Sequence, residues 1–256
     1  MKYPLGVPVY ECYDRLATLL AAADRGSRVP DGYYVVDNSG ALQESGVALP
    51  LGTVVYDPGQ NLGVAASWNH ILRLHHPDEL VIISGVGTIL GTETLELFVA
   101  RQQETQAPLI YGGGTLGMYG LFIHTPELTE RTGYYDEQFW PAYYEDSDYV
   151  RRMHFVGVFW DARDVPGHGG DYVPGSVHRA TEARDLPTYH EVVRLSSENR
   201  EYYKRKWGGN HLAETLDVPN EHARPRPVTT WEGGVIRGAP RKYVVTADGF
   251  ASLPLD

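Results

Sequence analysis

The chain carries a single cysteine, Cys12, among 256 residues. One thiol excludes an intrachain disulfide framework and any zinc site built on several cysteines. It fits a reducing compartment. No apolar run approaches the ~20 residues that a membrane-crossing helix needs. The opening MKYPLGVPVY has no apolar signal-peptide segment, so the expected location is cytoplasmic. Positive charge is scarce: 22 Lys and Arg stand against 33 Asp and Glu, a net charge of −11. That balance argues against a general nucleic-acid or anionic-membrane binder, because both surfaces are read through positive charge. A local basic site for a phosphorylated ligand is compatible with it. Internal repeats and low-complexity tracts are also missing.

Aromatic residues are plentiful, with 18 tyrosines and five tryptophans. They crowd one stretch, Gly133–Met153, reading GYYDEQFWPAYYEDSDYVRRM. There the acids Asp136, Glu145, Asp146 and Asp148 stand among tyrosines, Phe139 and Trp140. Flat rings suit the face of a sugar, and a carboxylate can take a proton from its hydroxyl. Acids are equally favoured at a helix N-terminus, so capping with solvated acids is the competing reading of this stretch.

The first half alternates strand-like and helix-like segments. Strands are expected at 3–9, 33–36, 53–56, 80–84 and 109–111, and helices at 13–23, 64–74 and 95–103. Continuous apolar strands between helices predict an α/β fold with a mainly parallel central sheet flanked by helices. Ligands of such sheets bind beyond the carboxyl ends of the strands, where Asp37-Asn38 and Ser84-Gly85 fall. In the second half, 112–114 is a glycine turn and 119–124 a strand. A helix is expected at 145–155 and a short strand at 158–160. A Gly/His-rich loop follows at 164–181. A helix is then expected at 186–207, stopped by Gly208-Gly209. GGGTLG (112–117) lacks the Gly-Lys-Ser/Thr ending of a phosphate loop. Prolines from about 215 onward predict an extended C-terminal tail, with an edge strand at 243–245.

Five segments in this order resemble the GT-A glycosyltransferases, specifically the inverting family 2 with its rhamnosyltransferase-like members. They are VPVYECYDRLATLL (7–20), VVDNSG (35–40), NLGVAASWNHIL (61–72), GYYDEQFWPAYYEDSDYVRRMHFVG (133–157) and YYKRKWGG (202–209). The resemblance covers about 1–210. It implies a GT-A domain over 1–212 and a Pro-rich extension over 213–256 that packs on the domain or on a partner. The implied activity is inverting transfer from a UDP- or dTDP-type sugar donor to a glycan or protein hydroxyl.

The same resemblance implies roles for particular residues. Asp146 is the base, with Glu145, Asp148 and Trp140 supporting base or acceptor. Pro8, Val9, Tyr10, Asp37, Asn61, Gly63, Trp68, Asn69, Ser84, Gly85 and Val86 line the donor. His168, Lys206 and Trp207 meet the diphosphate. The residues leave alternatives open. Asp37 also suits an Asx-turn at a strand end. Trp68 also suits the core, and Asp148 could cap the helix or pair with Arg151 or Arg152. One departure stands out. Where the family carries an acidic pair for a divalent metal, this chain reads Gly85-Val86-Gly87. Those residues offer no side-chain oxygen to Mg²⁺ or Mn²⁺. The expectation is therefore a transferase with no metal or with an atypical metal site that could include His168. The alternative is a degenerate subunit that binds a sugar nucleotide or glycan without transfer. The acidic surface and proline-rich tail could support a homo-oligomer.

Overall fold

The computed structural model describes residues 1–75, 79–112, 120–158, 170–172, 177–179, 189–220, 222–223 and 237–255. The strands are β1 (Leu5–Val9), β2 (Tyr33–Asp37), β3 (Val54–Asp57), β4 (Val81–Ser84), β5 (Thr88–Leu90), β6 (Leu109–Gly112), β7 (Leu121–His124), β8 (Gly170–Tyr172), β9 (Val177–Arg179), β10 (Arg241–Thr246) and β11 (Gly249–Leu253). The helices are α1 (Tyr13–Asp24), α2 (Gly63–Arg73), α3 (Thr94–Thr105), α4 (Pro126–Thr132), α5 (Glu145–Phe155) and α6 (Tyr189–Trp207). None of the described helices is long and apolar enough to cross a membrane.

Nine strands form one sheet in the order β11-β10-β3-β2-β1-β4-β7-β6-β8, and β5 pairs with β9 beside it. Strand alternation sends successive side chains to opposite faces. Val35 and Ile82 pack with Leu16, Leu20 and Phe98 on the α1/α3 face. Val36, Val81 and Ile83 pack with Trp68, Ile71, Tyr149 and Met153 on the α2/α5 face. Both faces are covered, which is why β4 reads as an unbroken apolar run ending in serine.

The sheet is mixed rather than mainly parallel. Its centre, β3-β2-β1-β4, is a parallel run, and β6 and β8 also pair in parallel. β7 is antiparallel to both β4 and β6. Residues 113–120 between β6 and β7 are fewer than the dozen or so that a parallel crossover needs. A buried apolar strand reads the same in either direction, so composition was silent on this point. The C-terminal part departs from an extended tail as well. Residues 241–253 fold as an antiparallel hairpin whose first strand pairs with β3. Tyr243 is buried and meets Phe250 edge-on, with ring centroids 5.1 Å apart. The expected edge strand at 243–245 is thus interior to the sheet, and β11 forms the edge. The described parts of the 164–181 loop are strands, and α4, β5 and β11 were not foreseen. Helix α4 carried a readable start in Thr125-Pro126, where the threonine side chain accepts from the Leu128 N–H.

The start of α2 joins the two halves. Gly63 has φ +76°, and a Cβ there would sit 2.7 Å from the Pro141 carbonyl oxygen and 2.8 Å from the Trp140 ring. The Asn61 side chain accepts from the Gly63 N–H at 2.8 Å, and the Val64 N–H donates to the Pro141 carbonyl at 2.7 Å. Gly63→Ala therefore meets both a left-handed backbone and a backbone clash. It is expected to lower stability by about 1–3 kcal/mol in urea unfolding. A variant as stable as the parent would show that this close approach is not maintained in solution.

Candidate active site

The carboxyl ends of β1, β2 and β3 are tied into one rim. The Asp37 carboxylate, fully buried, accepts from the Tyr13 hydroxyl at 2.8 Å, from the Gly40 N–H at 3.0 Å and from the Leu42 N–H at 3.0 Å. Asp37 thereby forms the Asx-type turn foreseen as its alternative. Burial, and the Asp37 charge beside it, push the Tyr13 hydroxyl pKa up. Asn38 donates to Ser67 at 2.9 Å and accepts from the Leu62 N–H at 2.8 Å, joining β2 to the start of α2. At the end of β1, Val9 is buried, Pro8 and Tyr10 are half-buried, and the Val9 carbonyl accepts from the Asn38 N–H at 2.9 Å.

Asp57 closes the same rim from the end of β3. It is 1% exposed and accepts from Arg237 at 3.1 Å and from Arg241 at 2.7 Å. Burial pushes its carboxyl pKa up. The Arg241 hydrogen bond, the Gly59 N–H and the charges of both arginines outweigh that and hold it below the usual range. Arg237 also donates to the Asn38 carbonyl at 3.1 Å. The C-terminal segment is thereby bound to the loops that end β2 and β3. Asp57, Arg237 and Arg241 were missed in the sequence. The signal was an acid at a strand end before Pro-Gly, with its partners some 180 residues away.

At the end of β4, Ser84 is buried and the Gly85 N–H donates to the Gly120 carbonyl at 2.9 Å. Val86 is half-buried against the α1/α3 core. Ser84, Gly85, Val86 and Gly87 place no carboxylate here, so these residues do not fit a divalent cation. No group of three or more His, Cys, Asp or Glu side chains suited to a metal occurs among the described residues. His168 lies outside the described residues. The β5–β9 register sets Arg179 opposite Thr88 and His178 opposite Ile89, a few residues beyond that strand end.

The segment that leads to Asp146 is tied to the turn after β3 through Trp140. The indole N–H donates to the Asn61 carbonyl at 3.0 Å, and the ring is 8% exposed, so Trp140 staples the two halves. Tyr143 and Tyr144 then run in the left-handed region, φ 75° and 74°, before α5 begins. Asp146 is half-buried, and its Oδ1 accepts from the Ser147 N–H at 2.7 Å. Glu145 is buried, and its Oε2 has no hydrogen-bond partner among the described residues. Burial, reinforced by the Asp146 charge, pushes its carboxyl pKa well above the usual range. The buried Glu145, with its carboxyl pKa raised, thus stands beside the half-buried Asp146 at the positive end of a helix dipole.

Several expected ligand contacts turn out to be internal. Asp148 is fully buried and bonds Arg152 at 2.9 Å, as one of its alternatives foresaw. Its other oxygen accepts from the Trp207 indole at 2.9 Å and lies 2.5 Å from Lys206. Lys206 also meets Asp136 at 2.8 Å, and Trp207 is fully buried. Neither residue is placed to meet a diphosphate. Adjacent charged and aromatic residues at the end of a helix look alike whether they face a ligand or another helix. Trp68 packs between Phe122 and Tyr135 in the core. The Asn69 amide is committed to Tyr135, bonding its N–H and its carbonyl at 2.8 Å each, and to Glu137 at 2.9 Å. Asn69 clasps the acidic-aromatic segment rather than a donor. Asn61 and Gly63 shape the turn into α2.

The Lys206 cluster makes a prediction. Burial pushes the Asp136 carboxyl pKa up, but the Lys206 charge and hydrogen bond, with the Gln138 N–H and the Tyr202 hydroxyl, hold it below the usual range. A carboxylate whose folded pKa is depressed stabilises the fold above its unfolded value near 4. That contribution is lost as pH falls through the folded pKa. Lys206→Met should cost about 3–5 kcal/mol at neutral pH by stranding buried acids. It should also flatten the loss of stability below about pH 4. Urea unfolding across pH measures both, and wild-type stability in the variant would return Lys206 to the list of ligand-binding candidates.

No protein-family model and no curated protein sequence matches the chain. Solved structures do. A mannosyltransferase from Pyrobaculum calidifontis, in complex with GDP-Man and Mn²⁺, superposes with a TM-score of 0.57 at 15% identity, over 79% of this chain and 63% of that one. Residues 1–349 of S. aureus TarS superpose with a TM-score of 0.50 at 17% identity, over 78% and 65%. Glucosyl-3-phosphoglycerate synthase from Mycobacterium tuberculosis, with Mn²⁺ and UDP bound, gives 0.53 at 12% identity, over 77% of each chain. The chain thus spans somewhat less than two thirds of the length of the first two. Its fold is that of the GT-A-type nucleotide-sugar glycosyltransferases.

Proposed function

We propose that this protein is an inverting glycosyltransferase that uses Asp146 as its base. The observation that carries the reading is the junction of two loops. The Trp140–Asn61 and Pro141–Val64 hydrogen bonds tie the segment that leads into α5 to the turn after β3, which supports a site shared by Asp146 and the rim at the ends of β1–β3. That rim is where ligands of open α/β sheets bind. The donor rests on Pro8–Tyr10, the Asp37 turn and Ser84–Val86. An acceptor hydroxyl attacks the anomeric carbon from the side of Asp146. The bond from that carbon to the diphosphate oxygen breaks, and the diphosphate leaves with the electron pair. The hydroxyl proton passes to Asp146.

The donor is a UDP- or dTDP-type sugar, and the acceptor a glycan or protein hydroxyl. We read 1–212 as the transfer domain and 213–256 as an extension folded onto it, in a cytoplasmic protein. No step is routed through a metal, because the residues at 84–87 do not fit one. Arg179, a basic residue of the Gly/His-rich stretch, is our candidate for the diphosphate's counter-charge. The missing acidic pair and the internal role of Lys206 favour a second reading, a subunit that binds a sugar nucleotide without transfer.

The test is binding and hydrolysis of UDP-, dTDP- and GDP-sugars with Mn²⁺, with Mg²⁺ and with chelator. Binding with turnover that survives chelator is expected. Strict metal dependence would mean that other ligands replace the missing pair, and binding without turnover would favour the second reading. Asp146→Asn should abolish transfer and keep donor affinity; undiminished turnover would remove Asp146 as base. Arg179→Ala should weaken UDP far more than uridine. An equal effect on both would take Arg179 away from the diphosphate.

A further inference from the structure

Two bulky residues in succession, Tyr143 and Tyr144, hold φ 75° and 74° immediately before α5. Outside glycine this region is disfavoured and persists only where the surroundings impose it. The imposing group is on α6. Asn199, 2% exposed, donates its side-chain amide to the Ala142 carbonyl at 2.9 Å and to the Tyr143 carbonyl at 3.3 Å. One turn further along the same helix face, Tyr203 packs on the Tyr144 ring with centroids 5.6 Å apart. One more turn on, Trp207 bonds Asp148. The stripe Asn199–Tyr203–Trp207 therefore grips three successive points of the 142–148 segment. Asn199 grips it where the backbone is least willing to stay.

The consequence lies two and three residues further along the chain. The Tyr144 carbonyl accepts the Asp148 N–H at 2.9 Å, so the left-handed pair sets where the first turn of α5 starts and hence where Asp146 points. Were either residue to relax to negative φ, the chain would enter the helix along a different line, and the Asp146 carboxylate would swing with it.

We propose that Asn199 is a positioning residue for Asp146, holding the Tyr143–Tyr144 turn in the left-handed conformation from which α5 begins. The role rests on the transferase reading above, but the holding of the turn can be measured without it. Asn199→Ala should lower kcat by ~10²-fold, the loss associated with a misplacement of about 1 Å. Donor KM should stay unchanged. Amide exchange across 143–148 should quicken. The variant Asn199→Ala/Tyr143→Gly is the discriminating one. Tyr143 is 40% exposed, and glycine adopts positive φ without strain. The double variant should regain much of the lost kcat and the slow exchange, which a residue acting only as packing would not permit. Wild-type kcat and exchange in Asn199→Ala would overturn the proposal, as would a loss that Tyr143→Gly fails to recover. If the wild-type protein transfers no sugar, the transferase reading falls and takes the catalytic consequence with it. Exchange in the same variants then shows separately whether Asn199 holds the turn.

Discussion

A fully buried carboxylate, Asp148, is the constraint on which the candidate site depends. An isolated charge in that position would be prohibitive. It is compensated by Lys206, by Arg152 and by the Trp207 indole. Those partners come from α5 itself and from the end of α6, so satisfying one charge fixes the two helices against each other. Lys206 reaches on to Asp136 and ties in the loop before α5. With α6 docked, Asn199 and Tyr203 are in place to hold the turn that aims Asp146. An acid two residues from the proposed base thus serves by being unavailable for chemistry.

A second buried acid does similar work on the other side of the site. Asp57 gathers Arg237 and Arg241 from the C-terminal segment onto the loops that end β2 and β3. The hairpin β10–β11 that follows them extends the sheet beyond β3. Part of what reads as a proline-rich extension is therefore structurally continuous with the rim at the ends of β2 and β3. Both acids show why buried charges are informative in this chain. Each must find its counter-charge, and in both cases at least one counter-charge belongs to a different segment.

The two sides meet at a contact without charge. Gly63 has no side chain to obstruct the Trp140-Pro141 segment, and that contact carries hydrogen bonds in both directions. The NLG run was readable as a tight turn into a helix. What it turns against was not, because Trp140 lies almost eighty residues further along. Helix α5 was legible over 145–155 because acids at its start and an apolar face of Tyr149 and Met153 agree locally. Asn69, Trp68, Lys206 and Trp207 were misjudged together. Polar and aromatic side chains on a helix have the same pattern whether they face a ligand or a neighbouring segment.

By itself the sequence determined the alternation of strands and helices, the tight turns at Asp37 and Asn61–Gly63, the acidic start of α5 and the lack of a carboxylate at 85–87. These are local matters of backbone preference, periodicity and composition. Tertiary structure alone decided the direction of β7, the folding of the C-terminal segment onto β3 and the pairing of Asp57 and Asp148. It also separated the enclosed Glu145 and Asp148 from the half-buried Asp146. The reason is physical. The behaviour of a charge depends on its solvation and on its counter-charge, and both are supplied by residues distant in the chain.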